Sequence, residues 1–198
     1  MAQCLKRLKS LHGFSFIHSL LRPSLKNISQ LEKILKARSP EGLGYLKQNQ
    51  WLVYFMELIQ AATDKAFADI LACFHFSREE RECLQQSRWL GPVFKKLSKP
   101  QLSPSQIYVL LRPYARVAVQ YFYFKASVSP VRQRFYDYLR DYSMTQLDIT
   151  GDDLKKMGLA EGEEIGDVLE KVLYQKIDGK VPMVQDQLKS ARNFFKKE

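Results

Sequence analysis

Residues 51–62 read WLVYFMELIQAA and give the strongest indication of the fold. The apolar residues of this stretch fall on nearly every side of a helix and show no period-2 alternation, so the stretch is predicted to form a helix at the centre of a core. Glu57 is expected on the least buried face of that helix. The stretch is the longest apolar run in the chain, and its 12 residues fall short of the about 20 that a membrane span needs.

The segments on either side carry helix start and stop signals. Thr63 is placed as an N-cap, and Ser77 and Ser103 each open a capping box. Gly91-Pro92 is expected to end the helix that Ser77 starts, and the helix near residue 37 is expected to stop before a loop at residues 39–42. The predicted helices cover residues 28–37, 51–62, 63–74, 78–90, 103–112, 113–127, 129–142, 151–157, 163–177 and 184–195.

These patterns predict an all-α protein of roughly nine or ten helices, with a helical body at residues 1–145 and a smaller helical tail at 146–198. In the tail, Gly158 and Gly179 are expected to end helices, because glycine tolerates the left-handed C-cap conformation. Gly166 is expected to let its helix approach a neighbour closely.

Cysteine usage points to a reducing compartment. The chain has three cysteines and no C-x-x-C pair, and we expect Cys73 and Cys83 to fill core positions. No signal peptide is recognised near the start, since the segment after the early lysines is broken by polar residues and glycine. Cytoplasmic localisation is therefore predicted.

The charge of the chain favours an anionic partner. Lys and Arg number 31 against 21 Asp and Glu, a net charge of +10, and the first 50 residues hold 9 basic and 2 acidic groups. Clustered cations release counterions from a phosphate backbone, which predicts nucleic-acid binding. The alternative interpretation is a set of solvated helix faces.

The sequence offers little catalytic chemistry. Its three histidines lack the spacing that places two imidazoles on one metal, and no G-x-S-x-G elbow, phosphate-binding glycine loop or Asp-x-Asp pair occurs. The acidic pair Asp152-Asp153 lies at a predicted helix start, where acids complement the helix dipole. Catalysis by this chain alone is not expected, and no metal ligand is predicted.

Aromatic and cationic residues alternate between positions 108 and 142. Rings between cations can stack bases while the cations bind phosphate. At helical spacing, however, most of these rings are expected to be core, with no more than two or three at the surface.

The most specific pattern lies in the tail. It consists of Thr150-Gly151-Asp152-Asp153-Leu154, Met157-Gly158-Leu159, Gly162, Ile165-Gly166, Leu169, Leu173, Asp178-Gly179-Lys180-Val181, and a last helix with Leu188, Ala191 and Phe194. This pattern resembles the C-terminal end of the class II tRNA nucleotidyltransferases, the bacterial CCA-adding and A-adding enzymes of the poly(A) polymerase superfamily. The run from Ser103 to Pro113 resembles the body of the same family, so that the resemblance covers about residues 40–198.

Two departures qualify the resemblance. The family's P-G-P turn stands here as Glu161-Gly162-Glu163, whose two acids disfavour phosphate at that turn. The Gly-Ser loop and paired aspartates of the family's catalytic head have no match, so any Mg²⁺ and nucleotide would belong to a head outside this chain, and no cofactor is expected within it. The pattern fits an excised fragment, a head-less protein or one subunit of a split enzyme.

The resemblance implies a portion that binds tRNA by its acceptor and T-arm while a head adds CCA or A. We expect recognition of shape and backbone, because A-form helices hide their major-groove edges. The candidate phosphate contacts are Arg112, Arg116, Lys125, Arg132, Arg134, Lys155 and Lys156. The alternative is a helical protein-interaction module that docks a separate catalytic subunit or another protein. Attachment to a membrane surface is disfavoured, since no helix sets a basic face against a Trp/Leu face.

Overall fold

The computed structural model describes residues 2–19, 21–37, 46–127, 129–158 and 162–195. Within these ranges the chain forms α-helices joined by loops, and no strand occurs. The helices are α1 (Ala2–Ser10), α2 (Phe14–Ile17), α3 (Leu25–Ala37), α4 (Leu46–Ile59), α5 (Asp64–Cys73), α6 (Arg78–Ser87), α7 (Leu90–Leu97), α8 (Pro104–Leu111), α9 (Arg116–Lys125), α10 (Ser129–Arg140), α11 (Gly151–Lys156), α12 (Glu163–Ile177) and α13 (Val184–Phe195). A short 3-10 helix, Tyr142–Met144, follows α10.

The all-α prediction is confirmed for the described residues, but they hold 13 α-helices instead of nine or ten. Two of the additional helices, α1 and α2, lie in a region for which no helix was predicted. The third, α7, arises because the predicted helix at 78–90 ends at Ser87 and a new one begins at Leu90. The predicted loop at 39–42 lies outside the described residues.

The prediction that Gly91-Pro92 ends a helix is wrong. Both residues lie in the first turn of α7. Proline is well tolerated there, because its fixed φ is helical and the missing N–H has no partner in a first turn. The capping boxes predicted at Ser77 and Ser103 are present, with each serine hydroxyl accepting from the N3 amide at 3.2 Å.

The buried apolar residues form two clusters. The first runs from Phe14 to Leu139 and joins helices α2 to α10, which we call the body. The second comprises Ile149, Leu154, Ile165, Val168, Val172, Val181 and Ala191, in the segment that we call the tail. Helix α8 of the body packs against α12 of the tail and brings the two regions into contact.

Helix α4 lies in the centre of the body core, as predicted. Leu52, Val53, Met56 and Ile59 on it are each at most 2% exposed. The expectation for Glu57 is wrong, because this residue is only 3% exposed. Its carboxylate accepts a hydrogen bond from the Tyr121 hydroxyl at 3.0 Å and pairs with the Lys125 ammonium at 2.9 Å.

The tail helices α12 and α13 have the predicted bounds. Gly158 and Gly179 follow helices at φ +98° and +75°, which confirms their role as left-handed caps. The expectation for Gly166 is wrong, since a Cβ there meets no atom of the described residues within 4 Å. The close approach is at Gly151, where a Cβ lies 3.3 Å from Ile165. Glu161 lies outside the described residues.

The two cysteines expected in the core differ in burial. Cys83 is buried as predicted, and burial raises the pKa of its thiol to about 11. Cys73 is exposed, because it occupies the last turn of α5 on the solvent side, and the core assignment for it is wrong.

In the described part of the chain, no helix has the length and apolar character of a membrane span.

Candidate nucleic-acid interface

The junction between the body and the tail is polar. The Asp178 carboxylate, at the end of α12, accepts a hydrogen bond from the Ser105 amide at 2.9 Å and from its hydroxyl at 3.1 Å. A carboxylate on a first-turn amide is favourable because helix N-termini carry partial positive charge. The tail thereby binds the start of α8, the helix that carries Arg112 at its other end.

Arg112 forms the second contact of this junction. Its guanidinium donates to the Glu170 carboxylate on α12 and, at 3.4 Å, to the Tyr174 hydroxyl. The hydrogen bond from Arg112 holds the pKa of Glu170 below its ordinary value, and the carboxylate raises the pKa of Arg112. Half of the Arg112 side chain stays exposed, so part of the guanidinium faces solvent.

Arg116, in the first turn of α9, is partly buried and donates to other groups of the protein. Its two terminal nitrogens donate to the Ser143 hydroxyl at 2.8 Å and the Leu139 carbonyl at 2.9 Å. The positive charge of Arg116 lies near Tyr138 and opposes the effect of burial, which raises the pKa of that tyrosine to about 12. Arg116 thus ties α9 to the end of α10.

Arg134 closes the C-terminal end of α7. It donates to the carbonyls of Leu97, Lys99 and Pro100, with distances of 2.6 Å to Lys99 and 3.0 Å to Pro100. The last carbonyls of a helix have no partner within the helix, and a cation there also suits the helix dipole. Three hydrogen bonds to carbonyl oxygens give this arginine a structural role.

Lys125 and Arg132 line one cavity of about 410 Å³ between α3, α9 and α10. Lys125 pairs with Glu57, and its side chain is 23% exposed. The Arg132 guanidinium lies over the Tyr123 ring, 4.9 Å from the centroid, in a cation–π contact. Of the seven predicted cations, these two are brought together at one cavity.

Lys155 and Lys156 lie side by side on α11 in the tail. Each faces an acid one turn earlier, with Lys155 at 3.8 Å from Asp152 and Lys156 at 3.9 Å from Asp153. The side chain of Lys156 is 79% exposed. Such i,i+3 surface pairs are weak and leave the ammonium groups accessible to an anion.

A second cationic cleft, of about 430 Å³, was not predicted from the sequence. It lies where α7, α8 and α12 meet, and its lining residues include Lys96, Lys99, Gln106, Val109 and Tyr174. Both lysines are exposed. The sequence signal is the Lys95-Lys96 pair in the last turn of α7, but only the packing of the tail brings Tyr174 beside it.

The aromatic residues follow the core interpretation. Of the ten rings between positions 108 and 142, Tyr121, Phe122, Tyr123, Phe124, Phe135 and Tyr138 are buried. The other four, Tyr108, Tyr114, Tyr136 and Tyr142, are half-buried.

No group of three or more His, Cys, Asp or Glu residues suited to a metal ion occurs in the ranges that the structure describes.

Comparison with known proteins agrees with this architecture. No protein-family model matches the chain. The A-adding tRNA nucleotidyltransferase of Geobacter sulfurreducens is 26% identical over 193 residues, which cover 93% of this chain and 22% of that protein. This chain therefore spans about a fifth of the length of the curated relative.

Solved structures show the same fold. The Thermotoga maritima CCA-adding enzyme in complex with tRNA superposes with a TM-score of 0.71 at 15% identity, covering 98% of this chain and 47% of that one. An apo form of a CCA-adding enzyme gives a TM-score of 0.68 at 16% identity and covers 97% of this chain and 46% of that one. The resemblance predicted from the motifs is confirmed: this chain resembles the body and tail region of the tRNA nucleotidyltransferases and has the fold of just under half of a CCA-adding enzyme.

Proposed function

We propose that this chain binds tRNA and positions its acceptor and T-arm for addition of CCA or A at the 3′ end by a catalytic head outside the chain. The observation that carries the proposal is the likeness over nearly the whole chain to CCA-adding enzymes, one of them solved with tRNA. The net charge of +10 suits a polyanionic partner. Catalysis, Mg²⁺ and the incoming nucleotide are assigned to the head, and this chain is proposed to be inactive alone.

Exposure and hydrogen bonding divide the candidate cations by role. Arg112, Lys155 and Lys156 keep accessible charge, and we assign them to phosphate contacts together with Lys96 and Lys99. Arg116 and Arg134 donate to groups of the protein itself, so we assign them a supporting role for the elements that carry the surface. We assign Lys125 and Arg132 to the cavity between α3, α9 and α10 that both of them line.

The cleft of Lys96 and Lys99 adds an aromatic side chain to this surface. Tyr174 lines it, packs 6.3 Å from the Tyr108 ring and contacts Arg112. Cations beside a half-buried tyrosine suit a backbone that presents phosphates and sugars. Because α8 and α12 both line the cleft, an RNA bound there contacts body and tail together.

The test is fluorescence anisotropy of a labelled tRNA at two salt concentrations, beside a single strand of equal charge. We expect tighter binding to tRNA than to the strand, and binding that weakens steeply as salt rises. Equal affinity for both would reduce the interaction to basic attraction without shape recognition. Absence of binding at low salt would contradict the proposal.

Paired variants locate the surface. Lys96→Gln with Lys99→Gln, and separately Lys155→Gln with Lys156→Gln, should each weaken tRNA binding and lower the salt slope by about 2, because each lysine neutralises one phosphate. Lys65→Gln, an exposed lysine on α5, is the matched control and should leave both unchanged. Exposed lysines are preferred to Arg134 here, because removing Arg134 also leaves the carbonyls of Leu97, Lys99 and Pro100 without this donor.

The second candidate is a docking module for a protein. It is favoured by an aromatic cluster at the surface, in which the Phe55 ring contacts Trp51, Phe74 and Phe76 at centroid distances of 5.5–6.4 Å. Trp51 is 41% exposed and Phe74 37%. Apolar docking depends little on salt, so the anisotropy series at two salt concentrations separates this candidate from RNA binding.

A further inference from the structure

The cavity between α3, α9 and α10 has the chemistry of an anion site. Its polar lining comes from three elements: Asn27, Gln30 and Lys33 on α3, Lys125 and Ser127 at the end of α9, and Arg132 on α10. The described lining residues include three cations and no carboxylate. Leu31, Ile34 and Phe124 form an apolar wall beside them.

Arg132 contacts an aromatic ring beside the cavity and has one guanidinium nitrogen without a hydrogen-bond partner among the described residues. Its guanidinium lies 4.9 Å from the centroid of the Tyr123 ring, and its Nη2 is buried without a hydrogen-bond partner among the described residues. A buried guanidinium nitrogen without a partner is unfavourable, so a small movement that brings Nη2 to an acceptor is stabilising. The planar guanidinium suits the oxygens of a phosphate group in particular.

One of these cations is paired with a carboxylate that is not among the lining residues. Glu57 binds the Lys125 ammonium through both oxygens, at 2.9 and 3.0 Å, and also accepts from Tyr121. This carboxylate offsets part of the Lys125 charge. Lys33, which is exposed at the rim, and Arg132 add two positive charges that it does not neutralise.

The volume of the cavity and the partial burial of its inner cations favour one kind of phosphate. Its volume of about 410 Å³ falls within the range of small-molecule sites. Lys125 and Arg132 are each only partly exposed, which disfavours a phosphodiester flanked by sugars on both sides within an RNA helix. A terminal phosphate carries one ester link and can enter, with its attached group against the apolar wall.

We infer that this cavity binds a phosphate monoester, held by Arg132 and Lys33 with the Asn27 and Gln30 amides beside it. The monoester belongs either to a free nucleotide-sized molecule or to the 5′ end of an RNA; the second source rests on the proposed RNA-binding function. Neither source requires a head or a metal ion.

The test is titration calorimetry of the full chain with inorganic phosphate and with AMP, in the absence of RNA. We expect saturable AMP binding in the range up to about 10 mM, with weaker binding of inorganic phosphate, which lacks a group for the apolar wall. A parallel arm compares the affinities of 5′-phosphorylated and 5′-hydroxyl forms of one RNA hairpin.

Two variants assign the binding to this cavity. Arg132→Met keeps an apolar contact with the Tyr123 ring and should weaken binding at least tenfold, and Lys33→Gln at the exposed rim should weaken it several-fold. Lys95→Gln, an exposed lysine on α7 outside the cavity, is the control and should bind like the wild type.

Each outcome decides the inference. A loss of affinity in either cavity variant that is absent from Lys95→Gln supports it, whichever phosphate source is bound. Absence of saturable AMP and phosphate binding, together with equal affinity for the two RNA forms, overturns it, as does binding that both cavity variants leave unchanged. Because the calorimetry contains no RNA, failure of the tRNA proposal leaves this test intact.

Discussion

The body and the tail differ in the interactions that stabilise each of them. The body core runs from Phe14 to Leu139, and its central helices α4 and α9 are buried along most of their length. The tail core contains seven buried residues among those described. A unit of this size buries less apolar surface than the body, so polar contacts add to its stability.

The polar contacts of the tail centre on Asp148. Its carboxylate accepts from the Lys176 ammonium at 2.6 Å and from the Gln187 amide at 2.7 Å. The buried Gln187 in turn accepts from the Asp148 backbone amide at 3.0 Å. One side chain thus joins the entry to the tail with α12 and α13. Asp148 itself is exposed, whereas the body holds a buried acid, Glu57, within a mainly apolar core.

Truncating a ring in the body core should lower stability more than any other single change considered below. Phe122 on α9 is fully buried and packs edge-on against Tyr114 at a centroid distance of 5.7 Å. Phe122→Ala should lower the free energy of unfolding by about 4 kcal/mol, because truncating the ring leaves space that the helices fill only in part. Urea unfolding followed by circular dichroism measures it.

The matched variant in the tail is Leu154→Ala, at an equally buried position. We expect a loss of about 3 kcal/mol that speeds amide hydrogen exchange in α11 to α13 and leaves the body's exchange unchanged. A uniform increase in exchange over both regions would show that body and tail unfold as one unit.

The next effect concerns the ion pair inside the body. Glu57→Ala leaves the partly buried Lys125 ammonium without its carboxylate, and Tyr121 retains only Gln60 as an acceptor at 3.3 Å. Removing one partner of a buried pair should destabilise the body by about 3 kcal/mol. The control, Asp167→Ala at an exposed position on α12, should stay within about 0.5 kcal/mol of the wild type. If both variants lowered the free energy of unfolding equally, Glu57 would contribute no more to stability than an exposed acid does.

The smallest effect is a dependence of the tail on pH. The bonds from Lys176 and Gln187 hold the pKa of Asp148 below its ordinary value, and Arg112 does the same for Glu170. Because the folded-state pKa values are lowered, the stabilisation is complete above the unfolded-state values of about 4 and is lost as the pH falls through the folded values. Hydrogen exchange from pH 7 downward should show the tail loosening before the body.

The variant for this prediction is Asp148→Asn. It should make exchange in the tail faster at neutral pH and reduce its further rise at low pH. A body that loosens at the same pH as the tail would contradict the proposed difference between the two regions.

Local signals in the sequence predicted most of the helices. The capping boxes at Ser77 and Ser103, and Gly158 and Gly179 at helix ends, act through groups within a few residues, so their effect is readable without the fold. The prediction for Gly91-Pro92 was wrong because these residues are compatible both with the first turn of a helix and with the end of one. Only the packing of α7 on the body decides between the two.

The candidate site was less predictable than the fold. The motifs predicted the resemblance to the tRNA nucleotidyltransferases, and the charge pointed to an anionic partner. The roles of the individual cations depend on groups far away in sequence: Arg134 reaches the carbonyls 34 to 37 residues before it, and Arg112 reaches Glu170, 58 residues after it. Such partners leave no signal in the neighbouring residues.

Apolar period, caps and turns act over short distances, so the amino-acid sequence alone is enough to predict a helical chain, most helix ends and the family that it resembles. The tertiary structure decided that Glu57 is buried, that Tyr174 lies beside Lys96 and Lys99, and that Lys33, Lys125 and Arg132 line one cavity. These features depend on tertiary structure because exposure and charge pairing are set by which helices pack together, and that packing is a property of the whole core.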